Sequence, residues 1–167
     1  YIASLLSKRK KFTKSIENNV ILSSLLHDIG YVILLSLEEN TVRSVMKIAG
    51  IRNKEPNLML EESVLGLSHS TIGSLIAKKW KFPDEIKIAI ETHHSPDLLA
   101  NDTPQDHRLI VYSVYLADRI VEFNQGSDNY EHIYKHCIDF FGFESKEDYE
   151  SFAKKAKKEY IKHLWTQ

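Results

Sequence analysis

The sequence predicts an all-α protein, a compact bundle of seven or eight helices in one domain. Apolar residues return at the helical period in almost every segment, and the punctuation between segments is that of helix ends. No stretch keeps the period of two that a half-buried strand needs. The chain has 167 residues, 43% of them apolar and 27% charged, enough for one well-filled core and short for two.

The elements follow in order. Val20 to Leu26 forms an apolar helix that His27 and Asp28 end, and Gly30 reads as its C-terminal breaker. Lys54-Glu-Pro-Asn57 separates two helices. Leu65, His69, Ile72 and Ile76 then share one helix face. Lys81-Phe82-Pro83-Asp84-Glu85 closes that helix and opens the next, with Pro suited to a first turn and the acids to the N-terminal dipole. Ile86, Ala89, Ile90 and His93 line the following face. Ser95–Asp106, rich in Pro, Asp and Asn, is the longest irregular stretch, and Asn124–Asn129 is another loop. Between them Val111, Val114, Asp118 and Val121 recur on one helix face. Ser145-Lys-Glu-Asp148 resembles a capping box and opens a helix to about Leu164. Tyr149, Phe152, Ala153, Ala156 and Tyr160 make one side of that helix, which is expected to pack on the domain.

Composition excludes several classes. A net charge of −1 with dispersed basic residues gives no footprint for nucleic acid. The one dense basic run, Lys8-Arg9-Lys10-Lys11, reads as a solvated helix end. Cys137 is the single cysteine, so there is neither a disulfide framework nor a thiolate metal site. It is expected to be a small buried apolar residue, and the reducing cytoplasm is the compartment that fits. Uninterrupted apolar runs such as Val32–Leu37 are far shorter than the roughly 18–20 residues that span a bilayer. No signal peptide is visible at Tyr1-Ile2-Ala3, and a start at Tyr is read as a piece of a longer protein.

The informative residues are His27, Asp28, His69, His93, His94 and Asp118. Each falls on the apolar stripe of its helix, where an imidazole or carboxylate is costly without a partner. Arg119 is about 100° round the helix from Asp118 and reads as a poor partner for it. Neutral imidazole and ionised carboxylate are the usual ligands of Zn, Fe or Mn. Periodicity leaves two readings open: a shared polar or metal site, or scattered residues each satisfied separately. His107, His132, His136 and His163 lie in more polar surroundings and read as surface residues.

The order of these residues resembles the HD superfamily of metal-dependent phosphohydrolases. Glu62-Ser-Val-Leu-Gly-Leu-Ser-His-Ser-Thr-Ile-Gly, the later Trp80 and Pro83, and His93-His94-Ser-Pro96 look specifically like its HDOD branch. The likeness covers about Leu22 to Phe123. It implies an HD-type helical domain over 1–124, with 125–167 a helical C-terminal extension packed on it. It further implies that His27 and Asp28 match the motif naming the superfamily. His69, His93 and His94 match the added histidines of its polynuclear HD-GYP relatives, and Asp118 the final aspartate. The implied cofactor is a divalent Fe, Mn or Zn ion.

Three departures separate the chain from active relatives. No His precedes His27, although Ile2–Phe12 looks like the middle of the first helix, so that histidine is expected upstream of Tyr1. Tyr31 stands where active HD-GYP enzymes carry a phosphate-holding Lys, and a neutral phenol cannot supply that charge. Ser-Pro-Asp-Leu-Leu-Ala-Asn replaces Gly-Tyr-Pro after His94. The resemblance therefore implies a non-catalytic regulatory module in bacterial signalling. Its partner would be a signalling protein or an attached sensor or receiver region, with a phosphate-containing small molecule as a further ligand. The alternative is a phosphohydrolase acting on a nucleotide or another phosphate ester.

Overall fold

A computed structural model describes residues 1–51, 58–123 and 130–164. Their order is α1 (Ile2–Arg9), α2 (Lys14–Leu26), α3 (Ile29–Ile51), α4 (Leu58–Leu65), α5 (His69–Lys79), α6 (Asp84–Thr92), α7 (Gln105–Phe123), α8 (Lys135–Phe141) and α9 (Lys146–Leu164). Short 3-10 turns at Pro96–Leu98 and Tyr130–His132 join them, and no strand occurs among the described residues. The all-α expectation holds. The expected loops at Lys54–Asn57 and Asn124–Asn129 lie outside the described residues.

Helix α7 is the spine. Leu109, Val111, Leu116 and Ile120 are wholly buried, with α1, α2, α6 and α9 packed around them. Its apolar face emerges from the core along its length, from Val111 at 0% to Val121 at 42% exposed. That gradient brings Asp118 to the edge of the core and not to its centre. A smaller apolar cluster, Ala77, Ile86 and Ile90, lies between α5 and α6 and is extended by Leu26, Ile29 and Phe82.

The C-terminal helix packs as its pattern predicts. Tyr149, Ala153 and Ala156 are buried, and Phe152 and Tyr160 lie partly buried against the core. Ser145 accepts a bond from the Asp148 N–H, while the Asp148 carboxylate accepts from Glu144 N–H, one residue before the box partner. Arg9, inside the basic run read as solvated, ties α1 to this region. It donates to the carbonyls of Phe141 (2.9 Å) and Gly142 (3.1 Å), pairs with Asp148 at 3.2 Å, and lies over the Phe143 ring. Arg9→Ala is expected to lower stability by about 2 kcal/mol in urea denaturation. Lysine should recover little of it, because a point charge cannot reproduce the planar fork. An unchanged midpoint would return Arg9 to the solvated surface.

Gly30 corrects a sequence expectation. It does not end a helix: α3 begins at Ile29 and runs through it. Its missing side chain lets α3 and α5 touch, because a Cβ built there would sit 1.8 Å from the His69 carbonyl oxygen. Gly73 faces it from α5. Cys137 is buried as expected, and burial pushes its thiol pKa up. His132 and His136 are exposed and His107 is half-buried, while the side chain of His163 lies outside the described residues.

Uninterrupted apolar runs are short, but Lys14–Ile48 taken across α2 and α3 is long and apolar enough to cross a membrane by length and composition. The His27–Asp28 turn sits in the middle of that stretch.

Candidate metal centre

Three junctions and one helix face supply the six predicted residues. His27 and Asp28 form the turn between α2 and α3. His69 is the first residue of α5, set there by Ser68, whose hydroxyl caps the helix by accepting from Thr71 N–H. His93 and His94 end α6, and Asp118 projects from α7.

All six converge. Asp28, His69, His93 and His94 offer ligand atoms that lie within 4.8 Å of one another. His69 Nε2 is 3.3 Å from His93 Nε2 and 3.1 Å from His94 Nε2. Asp28 Oδ1 is 3.4 Å from His69 Nε2 and 3.7 Å from His93 Nε2. His27 Nε2 lies 3.1 Å from the other Asp28 oxygen and 4.0 Å from Asp118, which is also 4.0 Å from His94 Nδ1.

The tautomers follow from the partners. His93 Nδ1 donates to the Ile90 carbonyl and His27 Nδ1 to the Ser24 carbonyl, each at 2.8 Å. His69 Nδ1 donates to Glu61 at 2.8 Å. With Nδ1 carrying the proton, the neutral ring presents a bare lone pair at Nε2. His69 and His93 thus aim lone pairs at each other across a buried gap. His94 Nδ1 is buried with no hydrogen-bond partner among the described residues. A cation between them would resolve this arrangement, and spacings of about 3.0–3.4 Å are those of neighbouring ligands on an ion bonded at about 2.1 Å. The donor set fits a divalent transition metal.

Electrostatics agree. Burial, reinforced by the neighbouring histidines, pushes His94 down to about 2, and burial lowers His93 against the pull of Asp28. Both rings are therefore neutral and free to bind a cation at neutral pH. Burial also opposes charge on Asp28, but His27 and His93 outweigh it and hold that carboxyl far below its usual range. At His27 burial is likewise outweighed, here by Asp28 and Asp118, and the pKa is raised. Burial and the charge on Asp28 raise Asp118, against the pull of His27 and His93.

One residue that positions the cluster escaped the sequence reading. Glu61 on α4 is 1% exposed and accepts from both the backbone N–H and Nδ1 of His69, each at 2.8 Å. Tyr31 donates its hydroxyl to the same carboxylate and stacks its ring on His69, with centroids 4.1 Å apart. A carboxylate behind a ligand histidine fixes the tautomer and raises the basicity of the ring. The signal was present: Leu58, Glu61 and Leu65 place an acid on an apolar face, as Val111, Val114 and Asp118 do. Arg119 corrects a second expectation. Its long stem bends the guanidinium back to 3.6 Å from the Asp118 carboxylate, so the offset in helix angle does not separate them.

A relative from Treponema pallidum (strain Nichols), described as an uncharacterized protein, is 25% identical over 129 residues, which are 77% of this chain and 24% of the relative. A crystal structure from Shewanella amazonensis SB2B named "Putative phosphohydrolase" superposes with a TM-score of 0.61 at 18% identity. That match takes in 94% of this chain and 55% of the other, so this chain spans about a quarter of one relative and just over half of the other. The model of the HDOD domain matches residues 1–96, more than half the chain, and the protein belongs to the HDOD family.

Proposed function

We propose that this domain is a regulatory signalling module of the HDOD type that holds a divalent metal and does not turn over phosphate esters. The observation that carries the reading is Tyr31. Where active relatives place a lysine to hold phosphate, the phenol is committed to Glu61 and lies flat on His69. Burial and the Glu61 charge push its pKa up, so it stays neutral. His69, His93 and His94, with Asp28, would hold the ion, and His27 and Asp118 border them. A bound ion would supply Lewis acidity toward a phosphate oxygen. Iron, manganese and zinc all suit imidazole and carboxylate donors.

The partners of this reading are a signalling protein or an attached sensor or receiver region, in the cytoplasm, without nucleic acid or membrane. The greater length of the Treponema relative supports an attached region. The His27–Asp28 turn argues against a span through Lys14–Ile48, since ionised groups at the middle of a bilayer are costly. A second reading, hydrolysis of a nucleotide or another phosphate ester, is favoured by the convergence of all six ligand-type groups and by the name of the Shewanella protein.

Elemental analysis of protein purified without chelator is expected to find at least about one equivalent of Fe, Mn or Zn, lost in Asp28→Ala. The metallated protein is expected to leave p-nitrophenyl phosphate intact. Turnover that disappears in Asp28→Ala would establish the second reading, and absence of metal would overturn both.

A further inference from the structure

Helices α2 and α5 both pack on α6 but scarcely on each other, and at one end α3 joins them, where Gly30 meets α5. The floor of the gap is the small cluster Ala77, Ile86 and Ile90, and its sides are Leu26, Ile29 and Phe82, each only partly buried. The apolar side chains around it are left in solvent: Leu25 is 77% exposed, Val32 59% and Trp80 56%. Leu22 lies one turn before Leu26 on α2, and Val32 and Ile33 one turn beyond Ile29 on α3. Trp80 stands edge-on to Phe82, with ring centroids 5.8 Å apart. The apolar window within Lys14–Ile48 is only 28% buried in this domain. Contiguous exposed apolar surface of this kind marks an interaction site.

Size and charge decide the occupant. Leu22, Leu25, Val32, Ile33 and Trp80 together expose on the order of 500 Å² of apolar surface. A stable dimer of standard size buries about 800 Å² on each partner, so the patch suits one helix laid along it better than a second copy of the chain. Its rim is basic. Lys78, Lys79 and Lys81 surround Trp80 in sequence, all exposed and with no ion-pair partner among the described residues. The neighbouring acids are engaged: Asp84 pairs with Lys87 at 2.6 Å, Glu85 accepts from Asn19 and Glu91 from Ser74. Two copies related by a two-fold axis would set the same basic rim on both sides of the contact. Lys78 and Lys79 also suit the C-terminal dipole of α5, yet that role asks for no tryptophan in solvent. A gap between two helices fits a ridge of side chains, which a bilayer does not offer.

We infer that the face between α2 and α5 docks an amphipathic helix of a partner protein, its apolar stripe on Leu25, Val32 and Trp80 and its acidic flank on Lys78, Lys79 and Lys81. The inference gives the signalling partner of the reading above a surface and a chemistry. It rests on that reading only for the existence of a protein partner and owes nothing to the metal. Trp80 is the anchor, since large aromatic side chains carry most of the energy of such contacts.

The test uses the full chain and a dye-labelled, helix-forming peptide with leucines at i, i+3, i+4 and i+7 and glutamates on both flanks, followed by fluorescence anisotropy. The same peptide with lysine for every glutamate is the comparison. The acidic peptide is expected to bind at least about tenfold tighter. Trp80→Ala and Leu25→Glu, both at exposed positions, should each weaken it by about tenfold or more. Lys78→Glu, Lys79→Glu and Lys81→Glu together should reverse the preference, a result that general stickiness cannot give. Leu98→Glu, at an exposed position outside the face, should change nothing. Equal binding of both peptides, or affinity that survives Trp80→Ala and Leu25→Glu, would overturn the inference. A chain that sediments as a dimer until Leu25→Glu is introduced would overturn it in favour of a second copy. Capture by phosphatidylserine vesicles without peptide binding would overturn it in favour of a membrane. Acidic-peptide binding that persists after chelation would support the docking face even where the metal reading fails. Metal uptake with no peptide bound would sink the docking face alone.

Discussion

Gly30→Ala is expected to unfold the domain, or to lower its stability by about 3 kcal/mol or more, the upper end for overpacking. The added Cβ would lie 1.8 Å from the His69 carbonyl oxygen, 2.7 Å from its carbon and 3.0 Å from Gly73 N. All three are backbone atoms, so no rotamer change relieves the clash. Helices α3 and α5 must separate, and His69 leaves the cluster with α5. Gly66→Ala is the control. Gly66 has a φ of +82° but open space around it, so only left-handed strain of about 1 kcal/mol applies. Urea denaturation of the two variants measures the contrast. A Gly30→Ala protein as stable as the Gly66→Ala one would mean that the close approach is not what holds α5 in place.

Glu61→Ala should do more harm to metal binding than any other change outside the six ligand-type residues. It removes the acceptor for two His69 N–H groups and for the Tyr31 hydroxyl together. Loss of a carboxylate behind a ligand histidine typically costs about 10–100-fold in metal affinity. Stability should fall by about 2–4 kcal/mol as well, since buried donors are left without partners. Freed of Glu61, His69 can take the other tautomer and put its proton where its lone pair was. Glu61→Gln keeps one acceptor and should fall between. Competition with a chromogenic chelator reads the affinities directly, and a wild-type value for Glu61→Ala would remove Glu61 from the site.

Much of this was legible in the sequence because burial leaves a period. The α5, α6 and α7 faces each show an imidazole or carboxylate at helical spacing among aliphatic residues, and those groups do meet. Glu61 carried the same signal in α4, but beside a second acid, Glu62, and in a helix of only eight residues it did not stand out. Gly30 was misread for a different reason. Sequence spacing reports where a residue lies on its own helix, whereas Gly30 is required by the backbone of another helix. Arg9 and Arg119 were misjudged because long side chains reach partners that Cα geometry does not predict.

Helix α7 carries both the centre of the core and Asp118. Whatever occupies the cluster must therefore act on the folding equilibrium of the whole domain, by thermodynamic linkage. A ligand at a thousand times its Kd adds about 4 kcal/mol to stability, a large part of what a domain of this size has. In the regulatory reading proposed above, occupancy needs no moving lid to be reported: filled and empty states differ in how tightly the bundle holds together. On that reading, the outer helices would pass the difference to the proposed partner as a change in how readily they loosen.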